Sequence, residues 1–291
     1  MSGQLYLLPC PISEAPALDA LPASTVETAR RIDHFLVEAA RTARATLKAM
    51  GHPKPIAELD IVEIGHDPAP ELISEWLQPV LDGADAAVLS ESGCPGVADP
   101  GAQIAARAHE LGIRVVPLTG PSSILLTLMA SGLDGQRFRF SGYLPKHDAE
   151  RRAAILAAEK ASRASETQLF IETPYRNTAL LDALLETLAP DTRLTVAIDV
   201  TGQNESIRTL TAAAWKAIPK AMRTLPKLPT VFAFLAKPDK TAPRYAPECA
   251  GGKRAHTAPS SKPAVLNNRP KQAYKTHRPE GSPVKTPKGG R

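Results

Sequence analysis

The sequence predicts an α/β protein: two α/β domains with mainly parallel or mixed sheets, a ligand cleft between them, and a disordered basic C-terminal tail. Three observations carry this. Short apolar runs alternate with helical patterns along residues 1–236, as in strands joined by helical crossovers. The character of the chain shifts after Ser131-Gly132-Leu133-Asp134-Gly135, which divides the body into a first domain at 1–132 and a second at 133–236. From residue 237 to 291, nine prolines stand among Lys, Arg, Ser, Thr and Gly with almost no large apolar residues. Such a segment cannot bury enough surface to offset its chain entropy.

Each element has a local reason. Leu5-Tyr6-Leu7-Leu8, stopped by Pro9-Cys10-Pro11, reads as a buried strand. A helix follows with Ser24 or Thr25 at its cap. His34-Phe35-Leu36-Val37 is the second strand, and Thr42 to Met50 a helix closed by Gly51. Leu59 to Ile64 is the third strand, and Pro70 to Leu81 a helix closed by Gly83. Ala86 to Leu89 and Ile113 to Val116 are the fourth and fifth strands, with a helix from Ala102 to Leu111 between them. Gly120 to Met129 opens another helix. Apolar, weakly alternating strands between helices imply a mainly parallel sheet covered on both faces. In the second half, Arg137-Phe138-Arg139-Phe140 alternates as a half-exposed strand does. Helices at Ala149–Ala161 and Thr178–Leu188, and strands at Gln168–Ile171, Leu194–Val200 and Thr230–Leu235, complete the body.

Charge and cysteines bound the function. The net charge of +5 is unevenly spread: residues 237–291 hold 13 Lys/Arg against 3 Asp/Glu, and residues 1–236 hold 22 against 27. A basic tail suits sequence-independent contact with RNA phosphates; it serves solubility equally well. Cys10, Cys94 and Cys249 are odd in number and widely spaced, which suggests neither a disulfide framework nor a zinc site. The first residues lack a secretion-signal pattern, and no run approaches the ~20 apolar residues of a membrane helix. The expected compartment is the cytoplasm. No P-loop, GxGxxG, GxSxG or HExxH motif is present. No metal-ligand spacing occurs among the histidines, so no metal is expected, and His66 and His109 read as surface residues.

Candidate chemistry sits in loops at strand ends. Ser90 to Gly101 packs three glycines and two prolines into twelve residues, where a plain connection needs about two to six. Glycine permits close backbone approach and positive φ, and proline fixes φ. Open α/β sheets bind ligands at the carboxyl ends of their strands. Pro117-Leu118-Thr119-Gly120-Pro121-Ser122-Ser123 is a second constrained loop, equally suited to capping the helix it precedes. Glu38-Ala39-Ala40-Arg41-Thr42 follows the second strand, and Glu172-Thr173-Pro174-Tyr175-Arg176 follows an apolar strand of the second domain. Alone, Glu172 and Arg176 make a salt bridge. Together, three loops on one sheet facing a fourth from another domain describe a cleft.

The ordered series Pro9-Cys10-Pro11-Ile12, Glu38-x-x-Arg41, Ser90 to Gly101, Pro117 to Ser122 and Gly142-Tyr143-Leu144-Pro145-Lys146 resembles the tetrapyrrole-methylase-like family. Within it, the chain is most similar to the ribosomal RNA small-subunit methyltransferase I branch, which methylates a cytidine 2′-hydroxyl; Glu172-Thr173-Pro174-Tyr175-Arg176 resembles that branch's Glu-Ser-Pro-His-Arg. The resemblance, running from about Leu5 to Leu235, implies two α/β domains with S-adenosylmethionine between them, usually in a homodimer, and small-subunit RNA as partner. On this reading Pro9, Ser92, Gly93, Pro95, Gly96, Asp99, Gly101, Gly120, Pro121 and Ser122 hold the cofactor. Glu172 and Glu38 are candidates for accepting or aligning a hydroxyl proton, and Arg41 and Arg176 for holding a phosphate. Three departures bear on the acceptor: the branch's Gly-Asn turn is Ser13-Glu14 here, its Glu-Asp-Thr-Arg is Glu38-Ala39-Ala40-Arg41, and its Arg-Glu-Leu-Thr is Ile198-Asp199-Val200-Thr201. The alternatives are a tetrapyrrole acceptor, and a cofactor-binding, RNA-associated module with little catalysis.

Overall fold

Two five-stranded sheets organise the chain. The computed structural model describes residues 2–14 and 16–238, which fall in one compact unit; the tail's predicted disorder concerns residues of which 239–291 lie outside those described. The first sheet contains β1 (Gln4–Leu8), β2 (His34–Val37), β3 (Asp60–Glu63), β4 (Ala86–Leu89) and β5 (Arg114–Pro117). Their spatial order is β3-β2-β4-β1-β5, with every pairing parallel. Helices α1 (Ala17–Ala20), α2 (Ala23–Ala29), α3 (Ala40–Ala49), α4 (Pro70–Trp76), α5 (Gln78–Leu81) and α6 (Gly101–Glu110) connect these strands.

The two-residue repeat of a strand explains the layering. Leu8, Phe35, Val37, Ala87 and Leu89 face one side and pack with Val26 and Ala29 of α2 and Ala43 and Leu47 of α3. Leu5, Leu36, Ala86 and Val88 face the other side, against Ile73, Val80, Ile104 and Ala108. Burial on both faces is why β4 is apolar throughout and β2 is apolar after His34.

The second sheet has the order β6-β7-β10-β8-β9. It comprises β6 (Phe138–Tyr143), β7 (Thr167–Glu172), β8 (Arg193–Ile198), β9 (Ser206–Thr211) and β10 (Thr230–Leu235). β6 and β7 are parallel and the other three pairings antiparallel. One face carries α7 (Ser123–Ser131), whose Ile124 and Leu128 pack with Leu169, Ala197, Val231 and Ala233. The other carries α8 (Asp148–Ser162), α9 (Asn177–Thr187) and α10 (Ala212–Ala217) over Phe170, Phe232 and Phe234. Each fully buried aromatic or Leu contributes ~1.5–3 kcal/mol of transfer free energy, so packing rather than surface charge holds these layers.

Several elements depart from the sequence expectations. α2 starts at Ala23 after Pro22, so neither Ser24 nor Thr25 caps it; the Thr25 hydroxyl instead donates to the Thr119 carbonyl at 2.7 Å, tying α2 to the loop after β5. The expected helix from Pro70 to Leu81 divides at Leu77, because Pro79 offers no N–H and its ring crowds the carbonyl four residues back. β8 ends at Ile198, where the chain turns through Asp199 (φ 48°) and Thr201 (φ 68°). β9 and α10 occupy a stretch that the sequence pattern left unassigned.

Candidate functional site

Because the first sheet is wholly parallel, its five strands release the chain at one edge. That edge carries Pro9–Ile12 after β1, Glu38 after β2, His66 after β3, Ser90–Gly101 after β4 and Gly120–Ser122 after β5. The second sheet contributes Tyr143 at the end of β6, Glu172–Pro174 at the end of β7, Val200 just past β8, and Pro229–Val231 where antiparallel β10 begins. The two sets of strand ends line a cleft of about 510 Å³. A neighbouring recess of about 350 Å³ shares Ile12, Glu91, Ser92 and Pro229 with it and adds Ser13, Glu14, Asp199 and Asn204.

The Ser90–Gly101 wall is built on its backbone. Asp99 Oδ1 accepts from the amides of Gly96 at 2.9 Å and Gly101 at 2.7 Å. Gly96 has φ +83°, and a Cβ on Gly101 would lie 2.7 Å from Asp99 Oδ1. One glycine is therefore required by conformation, the other by space. Ala98 also adopts a left-handed φ of 57° where Val97, Ala98 and Asp99 face the cleft, strain of a kind that collects at functional sites. Asp99 Oδ2 is buried without a hydrogen-bond partner. Buried polar atoms are nearly always satisfied, so this oxygen stands out among the carboxylates of the cleft.

The other loops lock this wall in place. Cys10 and Gly93 exchange amide–carbonyl bonds at 2.8 and 3.2 Å. The Cys10 thiol donates to the Ser90 carbonyl at 2.9 Å, and the Cys94 thiol to the Pro121 carbonyl at 3.4 Å. Burial pushes the Cys10 thiol up to about 12 and raises that of Cys94, so both act as neutral donors rather than nucleophiles. A Cβ on Gly120 would lie 2.3 Å from Pro9 Cβ, so glycine there lets the loops after β1 and β5 touch.

Two carboxylates hold the remaining walls. Glu38 Oε2 accepts from the Glu91 amide at 3.2 Å, and its Oε1 stands 2.6 Å from His66 Nδ1. Thr42 in turn donates to Glu91 Oε1 at 3.2 Å. Across the cleft, Glu172 is buried, and its Oε1 accepts from the Thr173 amide at 2.6 Å and from Arg176 Nε and a terminal guanidinium nitrogen at 3.0 and 2.5 Å. Tyr175 is 81% exposed, with the Lys227 ammonium 5.2 Å from its ring centre.

Of the residues singled out from sequence, Glu38, Ser92, Asp99 and Glu172 line the cleft. Gly93, Gly96, Gly101, Gly120, Pro121 and buried Pro9 and Pro95 stand behind the lining, where they shape the loops. Ser122 caps α7 by accepting from the Leu125 amide at 3.5 Å. Arg41 is exposed on α3, and Arg176 lies outside the lining, braced on Glu172. Sequence reasoning missed His66, Glu91 and the start of β10. His66 stands in an unremarkable Gly-His-Asp-Pro turn, and only the parallel topology brings it beside Glu38.

Glu38, Glu91, Asp99 and Glu172 line the cleft, and neither Lys nor Arg does. The site therefore favours a ligand that carries positive charge and hydroxyl groups. Among the described residues no group of three or more His, Cys, Asp or Glu is placed to hold a metal ion. No helix there is long and apolar enough to cross a membrane.

A family model described as tetrapyrrole (corrin/porphyrin) methylases matches residues 17–215. Three proteins named ribosomal RNA small subunit methyltransferase I are similar in sequence. The one from Vibrio cholerae is 30% identical over 205 residues, covering 70% of this chain and 67% of that protein. The Mesorhizobium japonicum protein is 33% identical over 210 residues, covering 72% and 68%, and that of Neisseria meningitidis 29% over 201 residues, covering 69% and 65%. The chain thus spans about two thirds of these relatives' length. Two solved structures share the fold. A conserved hypothetical protein from Aeropyrum pernix K1 has a TM-score of 0.57 at 17% identity, covering 82% of this chain and 86% of its own. The methyltransferase CobJ has a TM-score of 0.54 at 16% identity, covering 81% and 95%.

Proposed function

This chain belongs to the tetrapyrrole (corrin/porphyrin) methylase family, and we propose that it is an S-adenosylmethionine-dependent methyltransferase acting on a ribose 2′-hydroxyl of small-subunit ribosomal RNA. The observation that carries the cofactor assignment is the acidic cleft, with Asp99 Oδ2 unpartnered in its wall. S-adenosylmethionine carries a sulfonium, an ammonium and ribose hydroxyls, which match carboxylates and an unsatisfied acceptor. The Asp99 loop and the backbone around Gly96, Gly101 and Gly120–Ser122 form the cradle, with Ser92 at its lip. When bound, the sulfonium supplies a methyl group open to in-line attack, so the protein's task is alignment and exclusion of water.

The kinship with relatives named for small-subunit ribosomal RNA supports RNA as acceptor. So does the charge pattern. A tetrapyrrole bearing carboxylates would be repelled by Glu38, Glu91 and Asp99, whereas RNA places its phosphates at the rim. Exposed Arg41 and Lys227 are the candidates for them, and exposed Tyr175 for stacking on an unpaired base. Glu172, fixed by Arg176, orients the acceptor side. The working form is a cytoplasmic homodimer, and the apolar exposed face of α7, with Leu125 and Met129 at 49% and 78% exposure, is the candidate for burial between copies.

The test is direct. Full-length protein binds S-adenosylhomocysteine in calorimetry and transfers labelled methyl to small subunits from a strain lacking the gene, but not to subunits from the parent. Binding without transfer to either would leave a cofactor-binding module in place of an enzyme.

A further inference from the structure

We propose that His66 is the general base of this transfer and that Glu38 is its positioning residue, an assignment that rests on the acceptor being a hydroxyl. The chain leaves β3, turns at Gly65 (φ +66°) and sets His66 at the mouth of the cleft. Its side chain is 83% exposed, while that of Glu38 is 14% exposed. Nδ1 of His66 lies 2.6 Å from Glu38 Oε1. A carboxylate only accepts, so Nδ1 carries the hydrogen, and it is at Nε2 that the neutral form of the ring offers its lone pair.

Glu38 is itself held. Its Oε2 takes the Glu91 amide, and Glu91 takes the Thr42 hydroxyl, which restrains the carboxylate beside the ring. The other acids in the cleft are occupied differently. Glu172 Oε1 is engaged by Arg176 and the Thr173 amide, and Asp99 Oδ1 by two glycine amides.

A hydroxyl is a weak nucleophile until its proton is taken. In the step assigned here, a lone pair of the acceptor oxygen forms the new O–C bond as the C–S bond breaks. The sulfur keeps that electron pair and becomes a neutral thioether. The hydroxyl proton passes to Nε2 of His66, which returns it to solvent.

The experiment compares full-length wild type with His66→Gln, His66→Ala, Glu38→Gln and, as a control on α6, His109→Ala. Methyl transfer to subunits lacking the modification is measured beside calorimetric affinity for S-adenosylhomocysteine. Removing the base should lower kcat about 100-fold or more, with KM for the subunit and cofactor-product affinity within about twofold, and added imidazole should restore part of the His66→Ala rate. Glu38→Gln should cost about tenfold in kcat, and His109→Ala nothing. Nitrogen NMR of the ligand-free protein adds a readout independent of turnover: His66 holds its hydrogen on Nδ1 in wild type and loses that preference in Glu38→Gln. Undiminished kcat in both His66 variants beside an active wild type overturns the assignment, as does a wild-type His66 hydrogen on Nε2. A wild type that binds S-adenosylhomocysteine yet methylates no RNA overturns the function reading first, and this assignment falls with it.

Discussion

The Ser90–Gly101 loop and the Glu172–Arg176 turn face each other across one cleft, but they are held by different means. In the first, Asp99 fastens two glycine amides, Cys10 bridges Gly93, and Cys94 reaches Pro121. Almost every contact is made to backbone, which leaves the loop little freedom. In the second, four donors converge on one carboxylate oxygen, and Tyr175 projects outward. A backbone-built wall is preformed and suits a ligand of constant shape, such as the methyl donor. A wall made of side chains can be retuned by substitution, as an acceptor site requires. The same contrast runs through the sheets, since five parallel strand ends build the first wall and a mixed sheet builds the other.

The largest break in that contrast should come from Asp99→Ala. It removes two charge-assisted bonds, each worth about 1.5–3 kcal/mol, so denaturant unfolding should register a loss of about 3–6 kcal/mol. Affinity for S-adenosylhomocysteine should fall at least tenfold; unchanged affinity would remove this loop from the donor site. Glu172→Gln should behave oppositely. It keeps the side-chain shape, weakens the hold on Arg176, and should lower turnover about tenfold while leaving S-adenosylhomocysteine affinity within about twofold, because its contribution is felt mainly in the transition state. A parallel loss of cofactor-product affinity would erase the division between the two walls.

Gly96→Ala should cost about 1–2 kcal/mol of stability, the usual penalty for a side chain at left-handed φ. From the sequence alone, Gly96→Val is expected to disturb the ligand with little effect on folding; with φ at +83° a branched side chain strains the fold as well, so alanine is the cleaner probe. The last effect is on pH dependence. Burial raises the Cys10 thiol from an ordinary 9.0 to about 12. The unfolded chain ionises first, so the thiol's contribution is complete below pH 9 and lost as pH rises toward 12. Wild type should lose stability across that window more steeply than Cys10→Ala, by denaturant titration.

Much of this was legible beforehand, for physical reasons. The apolar runs at Leu5–Leu8, Phe35–Val37 and Ala86–Leu89 are strands because a doubly covered sheet needs continuous apolar residues. Ser90–Gly101 stood out because glycine and proline are dense only where backbone geometry is demanding. Other features depend on contacts between distant segments. The edge strand Ser206–Thr211 has few apolar residues to betray it, and α7 gives no local sign that it packs on the second sheet. His66 looked like a surface residue and is indeed exposed; what sequence could not supply was Glu38 at 2.6 Å. Chemistry that arises from strand order is invisible until the order is known.

The most direct test of the central claim is a map of ribose 2′-O-methyl groups on small-subunit ribosomal RNA from cells with and without the gene. The account predicts one methyl group that disappears on deletion and returns when purified protein and S-adenosylmethionine are added to the deficient subunits. An identical map in both strains would contradict it.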